Sequence, residues 1–123
     1  MTYTRLYAGP DELSHFDEIE VSLFDRKGDG ESISDWLTAE GVAFRVNRHN
    51  YSIDWHNAPR RQLVANLQGV LEIEASDGEV RQFGPGSIFL VEDTHGKGHR
   101  TKVVSTEDRL SIFVALDGES GAP

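Results

Sequence analysis

The feature that most constrains the fold is a succession of short strand patterns separated by tight-turn signals. Apolar and polar side chains alternate in short runs, and Asp77-Gly78, a strong β-hairpin signal, lies between two of them. Gly84-Pro85-Gly86 marks a second turn. Short strands at this spacing, punctuated by Gly, Pro and Asp, are typical of an all-β sandwich or barrel. The predicted strands are residues 3–7, 19–24, 42–47, 62–67, 70–75, 80–83, 87–91, 99–104 and 110–115.

The chain length of 123 residues predicts one domain with one hydrophobic core. We expect residues 1–40 to contribute N-terminal strands and an acidic loop packed on the barrel, and residues 41–116 to form the barrel itself. Within the first segment, residues 25–34 are predicted to form a mobile loop and residues 34–40 one or two helical turns, capped by Ser34 and stopped by Gly41. Residues 117–123 are predicted to form a loose tail.

Charge excludes two classes of partner. The net charge is −9, and residues 11–40 hold ten acidic side chains against two basic ones. An acidic chain without a basic stripe is a poor ligand for nucleic acid or for an anionic membrane surface. No apolar run approaches the length of a membrane helix, the N-terminus lacks a secretory pattern, and there is no cysteine. We therefore expect a cytoplasmic protein without disulfides, thiolate metal sites or cysteine nucleophiles.

Two stretches carry residues suited to chemistry. One runs from Trp55-His56 to Gln62, with Gly69 seven residues further on, and the other is Gly84-Pro85-Gly86-Ser87 followed by His99. Together they resemble the two sequence motifs of the cupin superfamily, over residues 42–115. The resemblance matches the first motif histidine to His56 and the second-motif histidine to His99. It puts Ala58 where the family has a second histidine and Gln62 where it has a glutamate. It implies a double-stranded β-helix, the cupin jelly-roll barrel.

The same resemblance implies a metal site inside the barrel. A complete cupin site offers three imidazoles and one carboxylate, a set that suits Fe, Mn, Ni, Cu or Zn. Here His56 and His99 are the matched ligands, and Gln62 or His95, on the loop before His99, is the third. If no bulge intervenes, His56, Ala58 and Gln62 share one side of a strand. The alternatives are a metal-free pocket lined by hydrogen-bonded histidines and a solvated His95.

Other polar residues near the barrel mouth are candidate substrate contacts. Arg60 and Arg61 could grip an anionic group, or else form ion pairs with local acids such as Glu92. Asn66 shares the parity of Gln62 and is therefore a candidate for the inward face. Glu92 is the carboxylate nearest to the His95 loop. The predicted substrate-binding set is thus Gln62, Arg60, Arg61, Asn66 and Glu92, with His56 and His99 as catalytic residues.

These features leave three functions open. The first is an enzyme of the isomerase, cyclase, lyase or dioxygenase type that uses one divalent metal (Fe, Mn, Ni or Zn) on a small polar or anionic metabolite. The second is a metal-free ligand-binding cupin without turnover. The third is metal-free acid–base catalysis by His56 or His99. In each case the partner is a small molecule, and we expect a homodimer that covers an exposed sheet edge with the spare strands of residues 1–24.

Overall fold

The structure is a computed structural model that describes residues 1–25, 28 and 30–116, and within these residues every regular element is a strand. No helix in this described part is long and apolar enough to cross a bilayer. The strands are β1 (Thr2–Ala8), β2 (Ser14–Glu20), β3 (Phe24–Asp25), β4 (Ser32–Ile33), β5 (Ala39–Asn47), β6 (Ser52–His56), β7 (Gln62–Gln68), β8 (Leu71–Ala75), β9 (Val80–Phe83), β10 (Ile88–Glu92), β11 (His99–Val103) and β12 (Arg109–Leu116).

Two sheets build the barrel. The larger has the order β2-β1-β10-β7-β12-β5, and the smaller has the order β6-β11-β8-β9. β3 and β4 form a separate two-stranded ribbon. The pairing of β1 with β10 is parallel, and the other described pairings are antiparallel. The N-terminal strands predicted to pack on the barrel therefore extend its larger sheet, through β1 beside β10.

Alternation along each strand places the core between the sheets. On β8, Leu71, Ile73 and Ala75 are buried while the intervening glutamates are more exposed, as the period of two requires. β7 and β10 contribute Val64 and Phe89 from the opposite sheet. The buried apolar cluster comprises Leu6, Phe16, Ala58, Val64, Leu71, Ile73, Ala75, Phe83, Phe89, Val91 and Val103. The predicted all-β jelly roll is confirmed.

Several local predictions need correction. Residues 34–38 form neither helix nor strand, and Trp36 is 89% exposed, because no apolar face packs there to stabilise a helix. The strand predicted at 19–24 is divided between β2, which ends at Glu20, and β3. His56, Ala58 and Gln62 do not share a strand, since β6 ends at His56 and β7 begins at Gln62. The predicted tail at 117–123 and part of the predicted loop at 25–34 lie outside the described residues.

The edge strand β5 carries an apolar stripe on its outer side. Val42, Phe44 and Val46 are 63%, 80% and 64% exposed. An edge strand with unpaired backbone and apolar side chains is a template for pairing with another chain. The opposite edge, β2, carries Asp17, Glu18 and Glu20, whose charges oppose self-association. The homodimer expected from the sequence should therefore form through β5 rather than through the N-terminal strands.

We expect a dimeric mass for the wild-type chain at micromolar concentration, measured by light scattering, and a monomeric mass for Phe44→Glu. A glutamate in the stripe would have to be desolvated in the interface. Glu18→Gln, on the opposite edge, is the matched control and should remain dimeric. A monomeric wild type, or a Phe44→Glu variant that keeps the dimeric mass, would contradict this prediction.

Candidate functional site

Two histidines meet inside one end of the barrel. His56 is the last residue of β6, His99 is the first residue of β11, and the two are direct cross-strand partners. Their ring centroids lie 4.4 Å apart with the planes inclined by 53°. Both line a cavity of about 190 Å³ between the two sheets. The structure thus brings together the two histidines that the sequence motifs singled out, on neighbouring strands.

Each imidazole has a fixed partner at Nδ1. His99 Nδ1 is 2.5 Å from Asp93 Oδ2, and this carboxylate is completely buried. His56 Nδ1 donates to the backbone carbonyl of Asp54 at 2.8 Å. A carbonyl only accepts, so neutral His56 carries its proton on Nδ1, and donation to the Asp93 carboxylate gives His99 the same tautomer. On both rings Nε2 is left as the nitrogen with a free lone pair for a ligand.

Asp93 holds the histidine environment together at two points. Besides its side-chain contact to His99, its backbone carbonyl accepts from the Ala58 amide at 3.2 Å and from Asn57 Nδ2 at 3.3 Å. The second carboxylate oxygen, Oδ1, is buried without a hydrogen-bond partner within the described residues. One residue therefore fixes the ring of His99 and also the loop that follows His56.

Gly98 sets the distance between the two strands. Its φ is +78°, and an ideal Cβ built on it would overlap the carbonyl oxygen of His56 and lie 3.1 Å from the Asn57 amide nitrogen. The backbones of β6 and the start of β11 can approach this closely only because position 98 has no side chain. The approach occurs one residue before His99, where it determines the spacing of the ring pair.

The cavity wall combines apolar and cationic groups. Among the described lining residues, two are arginines, two are histidines and none is Asp or Glu. Arg45 and Asn47 come from β5, Gln62 from β7 and Arg109 from β12. The remaining lining residues are Tyr51, Ile53, Ala58, Pro59, Leu71, Ile73, Phe89, Val91, Thr101 and Phe113. The cavity therefore has a positive, partly apolar interior suited to a small anion.

Of the predicted substrate-binding residues, only Gln62 lines this cavity. Arg61 Nε donates to Glu92 Oε2 at 2.9 Å, so the ion pair named as an alternative is the one observed. Glu92 also contacts Arg5, at 3.3 Å from Nη1. Asn66 is completely buried and bonded to the Gly69 and Phe83 carbonyls, and Arg60 is exposed. The geometry thus separates Arg60, Arg61, Asn66 and Glu92 from the histidine pair.

His95 also lies away from the cavity. Its side chain is 56% exposed, and its Nδ1 is 3.9 Å from Glu12 Oε2 on the turn between β1 and β2. The placement corresponds to the solvated loop histidine that the sequence left as an alternative. His95 is therefore not brought together with His56 and His99 as a third imidazole.

The donor set at the histidine pair falls short of a resident divalent metal site. Across the described residues no three His, Cys, Asp or Glu side chains converge as metal ligands. His56 and His99 offer two imidazoles and Gln62 only an uncharged amide, whereas catalytic zinc sites take their three protein ligands from His, Cys, Asp and Glu. The same cavity is lined by two guanidinium groups, which repel a divalent cation. The residues present suit an anionic ligand better than a bound cation.

A wider groove of about 460 Å³ lies on the outer face of the smaller sheet. Four of its five charged side chains form ion pairs, with Arg100 Nε 2.8 Å from Glu74 Oε1 and Lys102 Nζ 3.4 Å from Glu72 Oε2, and the fifth, Asp54, adds a negative charge. Mutually neutralised surface charges leave little to attract a ligand. The smaller internal cavity, with its unneutralised cations and histidines, is the better candidate site.

No protein-family model matches the chain, and no curated protein matches it. Several solved structures are similar to it. A cupin domain of Cnp3 from Schizosaccharomyces pombe is 10% identical, with 95% of this chain and 83% of that chain covered and a TM-score of 0.47. A protein described as ethanolamine utilization protein Q from Salmonella typhimurium is 12% identical, with 94% and 95% covered and a TM-score of 0.44. A conserved protein of unknown function from Streptococcus pyogenes is 19% identical, with 69% and 72% covered and a TM-score of 0.48. By its own strand order and register, this chain is an all-β barrel of the jelly-roll type.

Proposed function

We propose that this barrel binds a small polar or anionic metabolite in the histidine cavity and moves a proton on it, without a resident metal. The observation that carries the proposal is the buried Asp93–His99 pair, whose imidazole lines the cavity beside His56. A carboxylate on Nδ1 orients an imidazole and stabilises the imidazolium that forms when Nε2 takes a proton. His99 is therefore assigned as the general base.

His56 has a different role because its partner is different. Its Nδ1 donates to a neutral carbonyl rather than to a carboxylate, so its ring is held in one tautomer without a carboxylate beside it. It is suited to hold the ligand or to return the proton to a second atom of it. Proton removal at one atom and delivery at another is an isomerisation, and it needs no redox partner.

The experiment follows solvent deuterium into small carboxylic acids by NMR, using pyruvate, 2-oxoglutarate and succinate as probes in D₂O with chelator present. We expect the wild-type chain to exchange carbon-bound hydrogen of at least one probe. The loss for His99→Gln should be about 100-fold or more, the scale of a removed general base. Arg60→Gln, an exposed residue outside the cavity, is the matched control and should exchange at the wild-type rate.

Two results would replace the proposal by the other functions that the sequence leaves open. Saturable binding of a probe without exchange would identify a ligand-binding barrel without turnover. Exchange that disappears on chelation and returns with Mn, Fe, Ni or Zn would identify a metal-dependent enzyme.

Ala58→His with Gln62→Glu restores the family's ligand set at two cavity positions. This double variant should bind those ions more tightly than the wild type and serves as the positive control for metal titration.

A further inference from the structure

Arg109 is a buried cation that no carboxylate of the described residues contacts. The residue is 3% exposed, and its Nε and Nη1 donate to Asn66 Oδ1 at 2.7 Å and to Asn47 Oδ1 at 3.0 Å. Both acceptors are neutral amides. The third nitrogen, Nη2, is buried and has no hydrogen-bond partner within the described chain. Burial, with a further contribution from the charge of Arg45, lowers the pKa of Arg109 to about 10.

A second buried arginine in the same chain shows the contrast. Arg5 is 4% exposed, and its guanidinium faces two carboxylates, with Nε 2.8 Å from Asp17 and Nη1 3.3 Å from Glu92. The hydrogen bond to Asp17 is the main cause that raises the pKa of Arg5. A buried charge is ordinarily kept in such a pair, because an unpaired one is strongly destabilising. Among the described residues no carboxylate pairs with Arg109, so an anion bound from solution would supply the counter-charge that the described chain lacks.

The position of Arg109 indicates where that counter-charge would lie. Arg109 and Arg45 line the histidine cavity together, and the Phe113 ring lies beneath both, 4.1 Å from the Arg45 guanidinium carbon and 5.8 Å from that of Arg109. Two cations on one aromatic platform repel each other unless an anion lies nearby. The cavity they line also contains His56 and His99.

The surroundings hold the Arg109 guanidinium in place from behind. Asn66, which accepts from Arg109 Nε, is itself anchored by its Nδ2 on the Gly69 carbonyl at 2.8 Å. Gly69 has a φ of +77°, and a Cβ there would lie 2.9 Å from the Arg109 Cα. Asn66 and Asn47 thus hold two of the three nitrogens, and the third, Nη2, is buried without a partner among the described residues, so the guanidinium is preorganised around one unused donor.

We infer that Arg109, assisted by Arg45, binds the carboxylate of a small organic acid whose remaining atoms extend towards His56 and His99. The inference deepens the proposed function and rests on it only for the direction in which the acid extends. A planar guanidinium suits a carboxylate, and the cavity of about 190 Å³ is below the size that encloses a drug-sized ligand. The ligand class is therefore a compact mono- or dicarboxylic acid.

The test is binding, so it does not depend on turnover. Acetate, succinate and inorganic phosphate are titrated into the wild-type chain at constant ionic strength, and binding is followed by NMR shifts and by the melting temperature. We expect saturable binding of acetate or succinate. Arg109→Met should weaken it by about tenfold or more, as expected for loss of hydrogen bonds to a charged group, and Arg45→Gln should weaken it to a smaller extent. Arg100→Gln, whose parent side chain pairs with Glu74 on the outer face, is the matched control.

The response of the melting temperature to carboxylate distinguishes a binding residue from a structural one. Methionine removes an unpaired buried cation but also leaves Asn47 Oδ1 and Asn66 Oδ1 without their donor, so the two effects on the ligand-free melting temperature oppose each other. Added carboxylate should raise the melting temperature of the wild type and no longer raise that of the variant. A variant that melts lower yet keeps carboxylate binding would overturn the inference, as would a wild type that binds only phosphate or none of the three anions. If Arg109→Met fails to fold, Arg45→Gln on the exposed edge strand β5 provides the test, and unchanged carboxylate binding by this variant would overturn the inference. Failure of deuterium exchange would leave these binding results unaffected.

Discussion

Gly98→Ala is expected to destabilise the chain by about 3 kcal/mol, the range reached when left-handed strain and a backbone clash coincide. The new Cβ would lie 2.5 Å from the His56 carbonyl carbon and overlap its oxygen, and a backbone carbonyl has no flexible end that can move aside. Ser14 Oγ also donates to the Gly98 carbonyl at 2.7 Å, which ties this segment to β2. Urea denaturation of the two proteins measures the difference directly.

Gly78→Ala separates the two causes of that loss. Gly78 has a φ of +99°, but a Cβ there would meet nothing within 4 Å. This control therefore carries the left-handed strain without the clash, and it should lose only about 1 kcal/mol. Equal losses in the two variants would show that the close approach of Gly98 to His56 does not hold in solution.

Gly98→Ala should also disturb the histidine pair. β6 and the start of β11 must separate to admit a methyl group at position 98. This separation would move His56, whose carbonyl the methyl group meets, away from His99, which follows position 98. Binding of carboxylates by Gly98→Ala should consequently fall more than its loss of stability explains, even at temperatures where the variant is folded. Gly78→Ala, at the far hairpin, should bind them as the wild type does.

The sequence predicts the strands where local signals agree. β9 has the predicted bounds, and the hairpin at Asp77-Gly78 forms because a strong turn signal separates two alternating runs. The His56–His99 pairing also follows from the motifs. The parity argument for Ala58 and Gln62 fails because the chain leaves β6 after His56 and crosses to the other sheet before Gln62. A Pro59-containing loop interrupts the period of two, and no parity carries across it.

Two site residues were missed for different reasons. Asp93 follows Phe89 and Val91, both of which line the cavity, so strand parity could have preferred it to Glu92 as the acid nearer to the histidines. Arg109 gives no such signal. It follows Glu107-Asp108 in a stretch that resembles a charged turn, and its actual partners, Asn47 and Asn66, are remote in the sequence. Only the folded chain shows that its described partners are amides rather than carboxylates.

Glu92→Gln is the second substitution expected to cause a large loss of stability. It also tests the substrate-binding role that the sequence predicts for Glu92. Glu92 is 1% exposed and bonded to Arg61 at 2.9 Å and Arg5 at 3.3 Å, so it ties β10 to β1 and to the start of β7. Removing one member of a buried ionic cluster costs about 3–5 kcal/mol, because the opposite charge stays desolvated. Arg5 keeps Asp17, which places the expected loss for Glu92→Gln at the lower end, about 3 kcal/mol.

Urea denaturation of Glu92→Gln beside Glu79→Gln measures this effect. Glu79 pairs with Arg81 at an exposed position, where an ion pair contributes less than about 1 kcal/mol. Because Glu92 does not line the cavity, its variant should bind acetate and succinate with the wild-type affinity while it is folded. An unchanged stability together with weakened carboxylate binding would reverse this assignment and return Glu92 to the substrate-binding set that the sequence predicted. A large loss of stability with intact binding would assign Glu92 to the ion-pair cluster with Arg5 and Arg61. Carboxylate binding would then depend on the residues that line the cavity and not on Glu92.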